Sequence, residues 1–158
     1  MEAIVRRLLE ANDDPEGCEF PTGDPSSPPG DLAESVRSIQ RTLREDLNLP
    51  MELDGCVQDA SFHDELRILH PTSDRGNGVV ALFSEIAIRF SNFGRLYTIH
   101  SALPSIPARY PVDQIKAIVE RHGWKYVPAD QLEEVYDGRN KVLRDGRNTW
   151  WIRFFDYL

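Results

Sequence analysis

Residues 79–100, with the sequence VVALFSEIAIRFSNFGRLYTIH, form the longest apolar-rich stretch of the chain and constrain its fold more than any other segment. The apolar residues alternate along the chain, and one face collects Val80, Leu82, Ile86, Ile88 and Phe90. A period of two together with many Val, Ile and Phe residues is typical of a β-strand with one buried face. We therefore predict a strand over 79–90 that is joined to a second strand over 95–100 as a β-hairpin.

A helix over residues 79–90 is the alternative interpretation, because several of the same apolar residues also share one helical face. The choice affects function, since the preceding sequence GNGVVA at 76–81 matches the dinucleotide-binding pattern G-x-G-x-x-A. That pattern binds a pyrophosphate only where it joins a strand to the N-terminus of a helix. With a strand at 79–90, we interpret Gly76, Asn77 and Gly78 as an ordinary hairpin turn.

The remaining chain alternates helical and extended patterns. Apolar spacing predicts helices over 3–11, from an N-cap at Asp31 to about residue 47, over 112–122 and over 128–136. Short strands are predicted between 51 and 70, at 124–127 and over the aromatic segment 149–158, which we expect to insert in the sheet. The sequence thus predicts an α+β fold, with a mostly antiparallel sheet of about five strands and three to four helices packed on it.

Negative charge is concentrated at the start of the chain. Residues 1–34 contain nine acids and two arginines, whereas the other 124 residues contain 17 acids and 16 bases. Five prolines and three glycines between 13 and 30 predict a loop. We divide the chain into an acidic helix and Pro/Gly-rich loop over 1–30, either mobile or packed on the rest, and a single α+β domain over 31–158.

Composition sets limits on location and chemistry. The net charge of −8 argues against general nucleic-acid binding, and no apolar run is long enough to span a bilayer. The first ten residues lack the pattern of a signal peptide, and the two cysteines lack CxxC spacing, so we expect a cytoplasmic protein with free thiols. Walker, HExxH and GxSxG motifs do not occur, and the sequence predicts no cofactor, no metal and no catalytic residue.

Three groups of residues are candidate sites. The first combines N-terminal acids with C-terminal residues of hot-spot composition, namely Asp13, Asp14, Glu16, Glu19, Trp151 and Arg153. The second is a polar cluster of Asp59, His63 and Glu65, which a strand would place on one side, with His100 as a further member if folding brings it close. The third is an anion-binding surface formed by Arg37, Arg41 and Arg44 with the basic loop 139–147.

The acidic segment favours a non-enzymatic, cytoplasmic protein-interaction domain that binds a basic partner through its N-terminal region. The order of helix, meander, helix and terminal strand is similar to that of small bacterial interaction domains, including immunity proteins that neutralise toxins, which is an analogy of fold only. The alternative is a small hydrolase or metal-dependent enzyme that uses Asp59 and His63. The sequence does not determine the oligomeric state.

Overall fold

The computed structural model describes residues 1–18, 21–22, 29–55, 60–73, 80–103, 106–144 and 146–156, without the side chains of 29–31, 70–73 and 80–83. Within these residues the helices are α1 (Ala3–Asn12), α2 (Pro29–Leu47), α3 (Val112–Arg121) and α4 (Trp150–Phe155). The strands are β1 (Met51–Gly55), β2 (Phe62–Ser73), β3 (Val80–Ser91), β4 (Leu96–Ser101) and β5 (Lys125–Tyr126), and a 3₁₀ turn spans Ala129–Gln131.

The five strands form one sheet in the order β1-β2-β3-β4-β5. The first four pair antiparallel with their neighbours, and only β5 runs parallel to β4. Residues 80–91 are a strand, with Ile88 paired to Leu66 on one side and to Ile99 on the other. The predicted α+β class, the antiparallel meander and the strand interpretation of this segment are therefore confirmed. The turn predicted at 76–78 lies outside the described residues.

One face of the sheet packs against α2 and α3, and we call this cluster the sheet core. Alternate residues of the strands meet helix residues that recur at three and four positions, as expected for a helix layer on a half-buried sheet. Its fully buried members include Val36, Ile39 and Leu43 of α2, Leu66, Ile88, Phe90 and Tyr97 of the strands, and Ile115 and Val119 of α3.

A second cluster, which we call the terminal core, joins the two ends of the chain. Helix α1 buries Val5 and Leu9 there, although residues 1–30 could have been mobile by sequence. They pack with residues from the end of the sheet, from 127–143 and from α4, including Phe93, Leu96, Val127, Leu132, Tyr136, Leu143, Trp150, Phe154 and Phe155. The acidic N-terminal helix is thus part of the packed structure.

The predicted terminal strand is wrong, because residues 150–155 form the helix α4. Thr149 caps it by accepting a hydrogen bond from the backbone N–H of Ile152 at 3.3 Å. Its buried residues are Trp150, Arg153, Phe154 and Phe155, which follow a helical spacing. The alternation of aromatic residues suggested a strand, but the threonine cap and the spacing of three and four prevail.

Two further expectations need correction. Residues 128–136 do not form a full helix, since only the single 3₁₀ turn Ala129–Gln131 is helical. Helix α2 starts at Pro29 instead of after Asp31, with proline in the first turn, where its missing N–H is not needed.

Across the described residues, each helix is too short or too polar to cross a bilayer.

Candidate functional site

A groove of about 470 Å³ opens beside β4, and we call it the β4 groove. Apolar and aromatic side chains form most of its wall, from Ile99, Leu103, Ile106, Tyr126, Ala129 and Trp151. Its polar lining consists of His100, Ser101, Asp130 and Glu133. The described lining residues therefore include two acids and neither lysine nor arginine. Clefts with apolar walls and a few polar groups are the usual form of binding sites.

Backbone hydrogen bonds position the walls of this groove. The N–H of Val127 donates to the carbonyl of Tyr97 at 2.8 Å, which holds the segment after β5 against β4. The N–H of Trp151 donates to the carbonyl of Leu132, also at 2.8 Å, and so places the start of α4 next to Glu133. Asp130 and Glu133 are both exposed. Three segments that are distant in the sequence thus meet at one place.

Trp151 is held in a defined orientation. Its indole N–H donates to Asp156 Oδ2 at 2.9 Å, and its ring meets the ring of His100 edge to face, with centroids 5.4 Å apart. The guanidinium carbon of Arg89 lies 5.4 Å from the Trp151 ring centroid. At the other aromatic residue of the groove, Lys116 places its ammonium nitrogen 3.9 Å from the ring centroid of Tyr126. Both aromatic residues of the groove therefore already contact a cation of the chain itself.

The buried carboxylate of Glu65 lies behind His100, at the centre of the other sheet face. It accepts hydrogen bonds from Arg67 at 2.8 Å and from Arg89, and the Nε2 of His100 lies 3.2 Å away. Burial by itself raises the pKa of Glu65, but the bonds from His100, Arg89 and Arg67 outweigh burial and lower this pKa below its ordinary value. A carboxylate held ionised in this way is a poor general base near neutral pH.

Of the predicted polar cluster, the two described members, His63 and Glu65, contact different partners. The Nδ1 of His63 lies 2.8 Å from Asp64 Oδ2, next to an irregularity in the pairing of β2 with β3, whereas Glu65 pairs with His100. The irregularity changes the side to which these residues point. Among the described residues, no three His, Cys, Asp or Glu side chains are placed to hold a metal ion. Asp59 lies outside the described residues, so the enzyme alternative stays a prediction.

Asp13 and Arg153 form an ion pair inside the terminal core. Both side chains are 0% exposed, and Arg153 Nε lies 2.7 Å from Asp13 Oδ1. Asp13 also accepts from the Tyr136 hydroxyl at 2.7 Å and from the backbone N–H of Arg139 at 2.5 Å. Burial, followed by this bond to Asp13, raises the pKa of Tyr136 to about 12. In this conformation neither member of the pair can contact a partner.

The other N-terminal acids differ in their surroundings. Asp14 accepts from the backbone N–H groups of Glu16, Gly17 and Thr22 at 2.8, 3.0 and 2.6 Å. Burial opposes ionisation, but these bonds prevail and lower the pKa of Asp14 to about 2. Glu16 is exposed, and Glu19 lies outside the described residues. Of the predicted binding residues, Glu16 and the groove residue Trp151 are the ones best placed to reach a partner.

The predicted arginine surface is divided among separate contacts. Arg44 donates to the backbone carbonyl of Met51, while Arg37 and Arg41 line a separate cavity on α2. In the basic loop, Arg139 donates to the carbonyl of Asp13 at 2.6 Å, and Arg144 donates to that of Asp137 at 2.8 Å. Several arginine side chains of these segments thus donate hydrogen bonds to backbone carbonyls of the same chain.

Sequence reasoning missed the groove because its residues come from three separate parts of the chain, namely β4 with the residues after it, the segment 126–133, and α4. Asp130 and Glu133 are three residues apart, and this spacing was the available signal that they share a face. Comparison with protein-family models, with curated proteins and with solved structures found no match.

Proposed function

We propose that the protein is an interaction domain that binds a basic partner protein through the β4 groove. One observation carries this proposal: a groove with aromatic walls also presents two exposed acids, and its described lining includes neither lysine nor arginine. This combination matches a cationic side chain on the surface of a partner.

The physical argument combines two attractions. The faces of Trp and Tyr attract a cation within about 6 Å of the ring centroid. Carboxylates such as those of Asp130 and Glu133 add a charge interaction that depends on salt. Trp and Tyr are also enriched among the residues that dominate binding energies at interfaces.

The fixed position of Trp151 adds to this support. Its bond to Asp156 and its contact with His100 hold the ring before a partner arrives. A side chain that is already ordered loses less conformational entropy on binding. The net charge of −8 also increases the rate of encounter with a basic protein.

The proposal moves the predicted contact from the N-terminal acids to the groove, and a matched pair of variants separates the two surfaces. We would immobilise the wild type, an Asp130→Asn/Glu133→Gln double variant and a Glu16→Gln variant, and expose each to lysate of the source organism at low and high salt. We expect a basic protein to be retained by the wild type and by Glu16→Gln at low salt, and to be lost from the double variant. Retention by the double variant with loss from Glu16→Gln would favour the N-terminal surface instead.

A further inference from the structure

Arginine side chains of this protein are repeatedly held in one way, between an aromatic ring and a carboxylate. Among the described residues, four of them have the guanidinium carbon 4.1–5.5 Å from at least one ring centroid. The pairs of ring and carboxylate are Trp150 with Glu10 for Arg6, Trp151 with Glu65 for Arg89, Tyr110 with Glu85 for Arg109, and Phe93 with Asp13 for Arg153.

The β4 groove contains the same two components, but its carboxylates have no ion pair with a cation among the described residues. Asp130 and Glu133 supply these carboxylates, and Trp151 and Tyr126 supply the rings. Arg89 contacts the ring of Trp151 and Lys116 contacts that of Tyr126, but neither cation is among the described lining residues of the groove. The bond from the N–H of Trp151 to the carbonyl of Leu132 places Glu133 in the segment directly beside the indole. The lining residues that the structure describes include no guanidinium to complete the set.

We infer that the β4 groove is a binding site for an arginine side chain supplied by the partner. This inference rests on the proposed function and names the chemical group that the groove recognises. A guanidinium is planar, stacks on an aromatic ring and donates two parallel hydrogen bonds to a carboxylate. A lysine ammonium is a strongly hydrated point charge that satisfies only part of this arrangement, so arginine binds more tightly than lysine.

The experiment uses the full chain and three blocked tripeptides, Gly-Arg-Gly, Gly-Lys-Gly and Gly-citrulline-Gly, each acetylated and amidated. Citrulline retains the shape of arginine but lacks its charge. Binding is followed by the NMR signal of the Trp151 indole N–H, assigned with a Trp151→Phe variant. We expect the arginine peptide to bind about three- to fivefold more tightly than the lysine peptide, and the citrulline peptide to leave the signal unchanged.

Variants connect this signal to the groove. Asp130→Asn and Glu133→Gln replace exposed carboxylates by amides of the same shape, and Glu16→Gln is the matched control outside the groove. We expect both groove variants to bind the arginine peptide more weakly than the wild type does, and the control to bind it equally well. Equal binding of lysine and arginine, or binding of citrulline, overturns the arginine inference while the proposed function stands. If neither charged peptide shifts the indole signal, the groove does not bind cations, and both the proposed function and the arginine inference are wrong.

Discussion

The sheet core and the terminal core are stabilised in different ways. The sheet core is built from residues 36–124, and its fully buried members are almost entirely apolar. The terminal core joins α1 to α4 and surrounds the buried ion pair of Asp13 and Arg153, with the Arg153 guanidinium carbon 4.1 Å from the ring centroid of Phe93. The first cluster depends on burial of apolar surface, and the second also depends on one matched set of charges and hydrogen bonds.

This difference determines how each cluster tolerates change. Shortening a side chain in an apolar core lowers the free energy of unfolding by a few kcal/mol. A substitution that conserves the volume of the side chain largely preserves the packing. A buried charge that loses its partner leaves the other charge uncompensated in a medium that solvates it poorly. We therefore expect the terminal core to be the more sensitive of the two to small chemical substitutions.

Asp13→Asn is the sharpest test of this comparison. The amide has the same shape but removes the charge that compensates Arg153, so we expect a loss of about 3–5 kcal/mol in the free energy of unfolding. The value is read from urea denaturation, with Ile88→Val in the sheet core as the conservative counterpart at about 0.5–1.5 kcal/mol. If Asp13→Asn costs no more than Ile88→Val, the two cores do not differ as described.

Gly94→Ala tests whether the contact between α1 and the sheet is tight. Gly94 has a φ of +69°, and a Cβ at this position would overlap the side chain of Asn12 at the end of α1. Backbone strain and overpacking together predict that the free energy of unfolding falls by about 2–4 kcal/mol.

Gly146→Ala is the control for this substitution, because its φ is +78° and nothing lies within 4 Å of the added carbon. Strain alone predicts a loss of about 1 kcal/mol there. Thermal unfolding of both variants measures the difference in stability between them. Equal losses of stability would show that the side chain of Asn12 moves aside at little cost.

Glu65→Gln tests the polar network that covers the other face of the sheet. The pKa of Glu65 in the folded chain is lowered from its ordinary value of 4.5, so its contribution is fully present above that pH and is lost as the pH falls below it. At neutral pH we expect the variant to lose about 1–3 kcal/mol, since Arg67 and Arg89 would face a neutral amide. The gap between wild type and variant should narrow on acidification below pH 4.5, as measured by urea denaturation. A gap that widens contradicts this assignment.

Substitutions in the β4 groove should affect stability least. Asp130 and Glu133 are exposed, so we expect Asp130→Asn and Glu133→Gln to change the free energy of unfolding by less than about 0.5 kcal/mol each. The same urea measurement checks this, with Glu16→Gln alongside. A large loss in either variant would mean that these acids stabilise the fold and are not free for a partner.

The sheet core could be predicted from sequence because its signal is local. Alternation in 79–90 and helical spacing from Leu32 to Leu47 report directly on which side each residue faces. The terminal core escaped prediction because its partners are far apart, with Asp13 and Arg153 separated by 140 positions. The helix α4 was missed for a related reason: its six residues are too few for periodicity to distinguish the two structures, and the Thr149 cap was overlooked.

The candidate site followed the same division. Trp151 was identified because aromatic residues are frequent at interfaces, whereas the spacing of Asp130 and Glu133 did not by itself indicate a groove, and only the fold places them beside Trp151. Arg153, identified by the same reasoning, proved to be buried. Aromatic and arginine residues serve a core and an interface equally well, so composition cannot separate the two uses.

The bond between Asp13 and Arg153 also dictates an order of events as the chain is made. The sheet core needs nothing beyond residue 126, whereas Asp13 cannot meet its guanidinium until α4 has left the ribosome. Until then the terminal core that contains the apolar side of α1 lacks Phe154 and Phe155. A chain interrupted before residue 153 would therefore present an incompletely covered helix, which is the kind of surface that chaperones and proteases select.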